Sequence, residues 1–169
     1  MRYSAIKTCD VHNGEGLRVS LWTQGCKGYC GIKCHNKETW DEKKGKEFTE
    51  NEYVEIFKQI KRGMNLSIVG GEPLEEYNLK DLSVFLKSIK NDFPELNIWL
   101  WTHFLWEEVK NLELIKYLDV IVDGKYIDSL NCDYRKTNIQ NDKWRGSSNQ
   151  RVINVQESLK QNKIIEWRI

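Results

Sequence analysis

The sequence predicts an α/β fold in which a mainly parallel sheet is covered by helices. Short and nearly continuous apolar runs at residues 66–69, 97–101 and 120–122 are typical of strands buried on both faces. Segments with helical spacing of apolar residues lie between these runs, and this alternation is typical of a parallel sheet. We expect about five or six strands, which is too few for a closed eight-stranded barrel.

Length and composition predict one domain spanning residues 1–169, large enough for its own core. The formal net charge is +1 and no basic tail or patch is visible, so we expect no nucleic-acid partner. The N-terminus lacks the apolar core of a signal peptide, and no apolar run could span a bilayer. We therefore expect a cytoplasmic protein without a membrane partner, since five cysteines with three clustered do not form a secreted disulfide framework.

The first part of the chain is predicted to lead into the cysteine-rich segment. Residues 2–8 are weakly strand-like, and residues 10–16 form a polar, glycine-containing loop. Residues 17–23 alternate like a strand, so the cysteines follow directly from its carboxyl end. Residues 41–47 are charged and are expected to be exposed.

Two helices are predicted in the middle of the chain. Thr49 and Glu52 have the spacing of a capping box, and Gly63 is expected to end the helix that they begin. Asn78 is predicted to cap the second helix, which residues 93–94 (Phe-Pro) close.

The last part of the chain repeats the alternation. We predict a helix over residues 105–117 and then a strand that ends at residues 123–124. Residues 126–149 are polar and irregular, which indicates a loop region. Residues 151–155 and 164–167 are interpreted as later strands.

The cysteines give the first indication of chemistry. Cys26, Cys30 and Cys34 fall within one short stretch, and their spacing could also represent one face of a helix with buried thiols. Three glycines interrupt the same stretch, at positions 25, 28 and 31. Because glycines destabilise a short helix, we predict a loop that gathers three thiols around a soft metal centre.

The donor set favours an iron–sulfur cluster over structural zinc. Zinc sites usually take four ligands as two Cys-x-x-Cys pairs, and the sequence has no second pair. His35 could be a fourth ligand only by turning back sharply beside Cys34. Three thiolates on an iron–sulfur cluster would leave one iron open to a substrate or cofactor. Cys9 and Cys132 are isolated and are interpreted as bystanders.

The spacing of the three cysteines and the Asn36 that follows resemble the hallmark of radical S-adenosylmethionine (SAM) enzymes. Within that superfamily, the chain resembles the activating proteins of anaerobic ribonucleoside-triphosphate reductase. The matching segments, in the order of the family, are residues 13–16, 34–40, 70–73, 123–124 and 144–151. The resemblance covers residues 10–155, nearly the whole chain.

The cysteine segment departs from the family pattern at two places. Gly31, Ile32 and Lys33 separate the last two cysteines, where the family has two residues. His35 stands where the family usually has Tyr or Phe. If all three sulfurs bind, the extra residue must bulge out of the loop, which a glycine at position 31 permits sterically.

The resemblance implies a fold, two cofactors and a reaction. It implies a partial, open parallel (β/α) barrel of the radical SAM type, with a [4Fe-4S] cluster on Cys26, Cys30 and Cys34 and SAM chelating the open iron. One electron from an external reductant such as flavodoxin would cleave SAM to a 5′-deoxyadenosyl radical. This oxidoreductase would then generate a glycyl radical on the large subunit of the anaerobic reductase.

The resemblance also implies the residues that contact SAM. Gly70, Gly71, Glu72 and Pro73 follow an apolar strand, and the family uses this segment to meet the amino group of SAM. Glu72 could instead orient the loop. Further candidates for ribose and adenine contacts near predicted strand ends are Thr102, Asp123, Ser147, Asn149 and Arg151. The segment 13–16 is expected to belong to the same pocket, and no catalytic side chain is assigned.

Two other functions compete with this reading. A radical SAM enzyme acting on a small molecule, similar to 7-carboxy-7-deazaguanine synthase, also has an early Gly-Glu-Gly run. A zinc-stabilised binding module without activity would use the same cysteines as a structural site. The tryptophans, including Trp22, Trp99 and Trp101, are expected to fill the core. His12 and His103 are expected to be structural or to face solvent.

Overall fold

The computed structural model describes residues 1–28 and 30–168; Tyr29, inside the cysteine segment, and Ile169 lie outside the described residues. The described strands are β1 (Arg2–Asp10), β2 (Arg18–Thr23), β3 (Lys46–Glu47), β4 (Asn65–Gly70), β5 (Ile98–Trp101), β6 (Val120–Asp123) and β7 (Arg151–Asn154). The α-helices are α1 (Glu50–Lys61), α2 (Glu76–Asp92), α3 (Trp106–Val109), α4 (Tyr134–Thr137) and α5 (Val155–Gln161).

The seven described strands form one sheet in the order β3-β1-β2-β4-β5-β6-β7. The four central strands β2, β4, β5 and β6 are parallel, whereas β1, β3 and β7 join the edges in antiparallel pairing. The edge strands β3 and β7 are not paired with each other in this order, so the sheet is open. The prediction of an α/β fold with a parallel, unclosed sheet is confirmed, and the strand number is one more than expected.

The charged segment 41–47 is exposed as predicted, and its last two residues form β3, which pairs with the start of β1. One prediction about strands was wrong. Residues 164–167 do not form a strand and contribute only an isolated bridge between Ile153 and Glu166. Strand β7 ends at Asn154, because its side chain accepts a hydrogen bond from the backbone N–H of Glu157 and begins α5.

The helices confirm one predicted start and correct another. The capping box of α1 is formed as predicted, and the helix ends just before Gly63, which has a φ of +94°. Helix α2 begins at Glu76, not at Asn78, because the Asn78 side chain donates to the carbonyl oxygens of Gln24 and Glu72. The predicted helix over 105–117 is divided into α3 and a 3-10 turn at Glu113–Tyr117.

Replacing Glu52 by glutamine should destabilise the protein by about 1 kcal/mol at neutral pH. Hydrogen bonds from the side chain and backbone of Thr49 lower the pKa of Glu52 from 4.5 to about 2. Because the folded pKa lies below the unfolded one, this stabilisation is complete above the unfolded pKa and is lost as the pH falls towards the folded pKa. Urea unfolding of both proteins at neutral and acidic pH measures the difference.

The matched control for this prediction is Glu50→Gln, which removes another acidic side chain from the first turn of α1. It should cost only about 0.3 kcal/mol, through the helix dipole. Equal losses for the two variants, or a loss for Glu52→Gln that does not shrink in acid, would contradict the capping role.

Helices cover one face of the sheet and build the larger core. Alternate strand residues such as Leu66, Ile98 and Ile121 point to this face and are fully buried. They pack against the apolar sides of α1 and α2, for example against Ile56 and Leu86. The amphipathic helices are therefore stabilised by burial against the sheet, as expected of an α/β protein.

Tryptophans fill the opposite face of the sheet. Trp99 is fully buried, and its ring lies 5.7 Å from Trp101, 5.5 Å from Trp144 and 5.7 Å from Trp167 between ring centroids. The guanidinium of Arg18 lies 5.4 Å from the ring centroid of Trp99, also fully buried. The prediction that Trp99 fills the core is confirmed. We call this set of four tryptophans and Arg18 the tryptophan layer.

In the described ranges 1–28 and 30–168, no helix combines the length and apolar character needed to cross a membrane.

Candidate cofactor site

The three clustered cysteines lie in one cleft at the carboxyl ends of the parallel strands. Cys26 follows β2, Gly71 and Glu72 follow β4, and Thr102 follows β5. Cys30, Cys34 and Gly70 also line this cleft. Its other lining residues are Trp101, His103, Gly124, Tyr126 and Gln150. Ligand sites of parallel α/β sheets collect at this edge.

The chain on either side of the cysteines is tied together by backbone hydrogen bonds. The N–H of Gly25 donates to the carbonyl of Thr39 at 2.7 Å, and the N–H of Cys26 donates to Trp40 at 3.0 Å. The extra residue predicted to bulge is accommodated in a 3-10 turn at Gly31–Lys33, where Gly31 has a φ of +70°. This turn directs Ile32 into solvent with 79% of its surface exposed.

Gly71 joins the loop after β4 to the cysteine loop at very close range. A Cβ atom at this position would lie 2.3 Å from the carbonyl oxygen of Gly25. The same carbonyl accepts a hydrogen bond of 2.8 Å from the backbone N–H of Glu72. Position 71 therefore needs glycine because two backbones meet there, and a side chain would displace the residue that precedes Cys26.

The Glu72 carboxylate is 1% exposed and is held by four donors. Oε1 accepts from the N–H of Leu74 at 2.9 Å and from the hydroxyl of Thr102 at 2.7 Å. Oε2 accepts from the N–H of His103 at 2.7 Å and lies 2.8 Å from its Nδ1. Glu72 thus connects the loops after β4 and β5, which corresponds to the loop-orienting alternative that the sequence left open.

A hydrogen-bond donor lies beside one of the three thiols. The backbone N–H of Asn36 lies 3.4 Å from Sγ of Cys34. Donors of this kind commonly surround the sulfurs of iron–sulfur clusters.

Electrostatics at the cysteines favour a bound cation. Burial raises the pKa of Cys30, and the nearby thiols of Cys34 and Cys26 raise it further, against the opposing hydrogen bond from Tyr126. A positive metal centre reverses this balance, because it stabilises the thiolate form. The donor set therefore fits a thiolate-ligated cluster.

His103 lies in the cleft beside the Glu72 carboxylate. Burial by itself lowers its pKa, but the influence of Cys26 and Glu72 outweighs burial and raises the pKa to about 9. Its imidazole is only 8% exposed, so of the two roles expected for it, structural or facing solvent, the structure agrees with the first. The contact of Nδ1 with the Glu72 carboxylate compensates for the burial of this side chain.

Comparisons with known proteins agree with this site. The family model described as a 4Fe-4S single cluster domain matches residues 12–153. The anaerobic ribonucleoside-triphosphate reductase-activating protein of Enterobacteria phage T4 is 40% identical over 154 residues, which cover 90% of this chain and 93% of that protein. The chain belongs to this family.

Bacterial members of the family are similar over the same span. The protein of the same name from Escherichia coli K12 is 32% identical, and the match covers 90% of this chain and 97% of that protein. The protein from Pasteurella multocida is 32% identical over 89% of this chain and 95% of its own length. Together with the family model, these matches support a 4Fe-4S cluster as cofactor.

Several residues that the family resemblance suggested as SAM contacts lie outside the cleft. Asp123 is fully buried on the helix-covered face, where its carboxylate accepts from the N–H of Trp106 and pairs with Arg151. Arg151 also pairs with Glu107, and these carboxylates raise its pKa. Pro73 is buried beyond Glu72. The side chains of Asp123 and Arg151 thus form an ion pair with each other.

Ser147 and Asn149 stabilise the loop that follows β6. The hydroxyl of Ser147, fully buried, accepts from the N–H of Ile127, and the amide of Asn149 donates to the carbonyl of Lys125. Asn149 lines an adjoining cleft that shares His103 and Gly124 with the cysteine cleft. Of these two candidates, only Asn149 borders the site.

The segment 13–16 does not join the cleft, contrary to expectation. It precedes β2, whereas the cysteines follow it, and six residues of strand separate the two ends by roughly 20 Å. At this far edge the carbonyl of Glu15 accepts from Arg18, and its carboxylate lies 3.4 Å from Nε1 of Trp167. The segment closes the base of the tryptophan layer.

Sequence reasoning did not assign several lining residues, namely Trp101, Gly124, Tyr126 and Gln150, and it left open whether His103 lines the pocket. Gly124 directly follows β6, and His103 is the second residue after β5, so position after a strand was an available signal for them. Tyr126 and Gln150 lie in irregular backbone and had no such signal.

Within residues 1–28 and 30–168, no three His, Cys, Asp or Glu side chains surround a single metal-ion position. A 4Fe-4S cluster does not require this arrangement, because its cysteine ligands bind separate irons.

Proposed function

We propose that this chain is a radical SAM activase that generates a glycyl radical on anaerobic ribonucleoside-triphosphate reductase. The observation that carries the proposal is the meeting of Cys26, Cys30 and Cys34 with the Gly70–Glu72 segment in one cleft at the carboxyl edge of the parallel strands. Membership of a family whose relatives are named as activating proteins of this reductase supports the choice of partner.

The three thiolates would hold the cluster, and the rim of the cleft would hold SAM. Gly70 and Gly71 line this rim, where the lack of a side chain would let a ligand approach the backbone closely. The carbonyl of Gly70 accepts from the Asn36 side chain, and the N–H of Gly71 donates to the carbonyl of Thr23, so these two groups already have partners. Thr102 lines the same cleft, and Asn149 borders the adjoining one. Glu72 would act indirectly, by fixing the two loops that carry these groups.

When bound, the cluster and SAM would supply a one-electron cleavage that produces a carbon radical able to abstract hydrogen from glycine. The protein's own task is to orient the ligand and to limit access of water and competing groups. The open sheet would correspond to the partial barrel of radical SAM enzymes. The reducing cytoplasm and an external one-electron donor such as flavodoxin would complete the system.

A protein substrate fits this molecule better than a small metabolite. The face of the sheet that a barrel would enclose is occupied by the tryptophan layer, with Trp99 and Arg18 fully buried. The three thiols, in contrast, are partly exposed at one end of the sheet. A glycine-bearing loop of a partner could reach this edge, and docking of the partner would exclude solvent.

The test is an anaerobic mixture of the reconstituted protein, SAM, reductant and the anaerobic reductase. We expect a glycyl-radical doublet in the EPR spectrum only when all four components are present. A reductase whose radical glycine is changed to alanine should give no doublet, while uncoupled SAM cleavage by this protein continues.

The competing functions give different results in the same assay. Turnover driven by a small metabolite, with no radical on the reductase, would identify the small-molecule enzyme. One zinc per chain and no iron–sulfur chromophore would identify a binding module.

A further inference from the structure

We propose that Gln150 is a positioning residue of the cofactor site, whose carboxamide fixes the backbone of Gly124 where it lines the cleft and thereby sets the affinity for SAM. The inference rests on the proposed function only in that the cleft binds SAM. Gln150 itself lines the cleft and is 8% exposed. It belongs to residues 144–151, one of the segments that resemble the family.

The carboxamide of Gln150 joins two loops through its two polar atoms. Oε1 accepts hydrogen bonds from the backbone N–H groups of Gly146 at 2.9 Å and Ser147 at 3.1 Å. Nε2 donates to the carbonyl of Gly124 at 2.8 Å. Because two N–H groups require an acceptor and a carbonyl requires a donor, this position needs an amide rather than a carboxylate.

The loop that carries Gln150 is anchored by bonds of its own. Arg145 donates to the backbone carbonyl of Gln150 at 2.9 Å, and Nε of the same arginine donates to the Asp142 carboxylate at 2.6 Å. The Asp142 side chain is 1% exposed. The backbone N–H of Gln150 donates to the carbonyl of Ser147 at 3.0 Å. Since this loop is fixed independently of Gly124, its side chain can hold the glycine in place.

Gly124 is the point at which this contact reaches the site. It directly follows β6, and it lines both the cysteine cleft and the adjoining cleft. Its φ is +94°, and a Cβ atom there would lie no closer than 3.8 Å to any residue beyond its two chain neighbours. A ligand could therefore approach the backbone of Gly124 closely.

The conformational freedom of glycine also means that this backbone has to be held from outside. The N–H of Gly124 donates to the carbonyl of Phe104 at 3.0 Å, and its carbonyl is held by Gln150. Loss of the second bond would leave the peptide after Gly124 free to rotate, because a glycine has no side chain to restrict it. The wall of the cleft would then be less well ordered for a ligand.

The test is equilibrium dialysis of SAM against the reconstituted protein with its cluster oxidised, so that no electron is available to cleave SAM. Gln150→Glu keeps the size of the side chain and an acceptor for Gly146 and Ser147, but it places a carboxylate against the carbonyl of Gly124. Gln150→Met removes all three bonds without adding a charge. Both variants should bind SAM about tenfold more weakly, which corresponds to the loss of about one hydrogen bond. Their iron and sulfide contents should equal those of the wild type.

Gln156→Glu is the matched control for this experiment. Nε2 of Gln156 also donates to backbone carbonyls, those of Lys116 at 3.1 Å and Leu118 at 2.5 Å, and Gln156 lines neither cleft. The same chemical change at this position should lower the free energy of unfolding and leave SAM affinity unchanged.

Wild-type SAM affinity in Gln150→Met would overturn the inference, because a loss confined to Gln150→Glu would be an effect of charge alone. Loss of the cluster from both Gln150 variants would also overturn it, since Gln150 would then support the fold and not the SAM site. If only Gln150→Glu loses the cluster, the SAM affinity of Gln150→Met decides. A wild-type protein that carries the cluster but does not bind SAM would overturn the proposed function and this inference with it. Unchanged affinity in the variants of a SAM-binding protein would overturn the inference alone.

Discussion

Replacing Cys30 by alanine should reduce SAM cleavage to background and lower the iron content well below the expected value of about four per chain. Cys30 lies in the cleft with Cys26 and Cys34, and burial together with these two neighbouring thiols raises its pKa. Loss of one thiolate removes a cluster ligand and leaves the remaining two unable to hold the cluster in place. Iron and sulfide analysis after anaerobic reconstitution, and 5′-deoxyadenosine formed with SAM and dithionite, measure the two effects.

Cys132→Ala is the matched control for this experiment. Cys132 is also a partly buried free cysteine, but its thiol faces the carbonyl of Arg145, 3.6 Å away, and does not line the cleft. The exposed Cys9 offers a second control. Both variants should retain the cluster and SAM cleavage. Full activity in the Cys30 variant, or loss of the cluster in both controls, would contradict the assignment of ligands.

Replacing Gly71 by alanine should reduce both cluster occupancy and SAM cleavage by at least about tenfold. The added methyl group would lie 2.3 Å from the carbonyl oxygen of Gly25 and 3.1 Å from that of Thr39, and backbone atoms cannot give way as a flexible side chain can. The strain therefore moves the start of the cysteine loop. Iron content and SAM affinity, measured on the same preparation, report the displacement.

Gly63→Ala separates this local effect from a general loss of stability. Gly63 has a φ of +94° but open space around it, so alanine there strains only the backbone at the end of α1. It should lower the free energy of unfolding by about 1 kcal/mol and leave cluster content unchanged. If Gly71→Ala behaves like Gly63→Ala, the close approach of the two loops has no bearing on the site.

The pattern of apolar residues was sufficient to predict an element wherever that element is buried or is specified by residues close together in the sequence. The apolar runs that became β4, β5 and β6 are buried on both faces, so their composition predicted the parallel centre of the sheet. The capping box of α1 is a contact between residues three apart, which sequence spacing fully specifies. The short strand β3 had no such signal, since both of its residues are exposed and it exists only by pairing with β1.

The candidate site residues also include some that the sequence predicted correctly and some that it did not. Position after a strand predicted Thr102 correctly as a residue of the cleft, but Asp123, suggested in the same way, does not line the cleft and accepts from the N–H of Trp106. Alternation along β6 places Val122 on the tryptophan side and Asp123 on the helix side. The family motif alone does not tell which face of the sheet the Asp123 side chain takes, because that depends on how β6 pairs with its neighbours.

The sequence by itself determined the fold class, the family and the three clustered thiols of this protein. These properties depend on residue types and spacings along one short stretch at a time, and on the order of motifs along the chain. Only the tertiary structure decided what the remaining groups do. It brought Glu72 and His103 together across 31 residues, placed Cys26 in the same cleft, and filled one face of the sheet with tryptophans. Such contacts depend on how strands pair and which face each side chain takes, and spacing along the chain does not encode them.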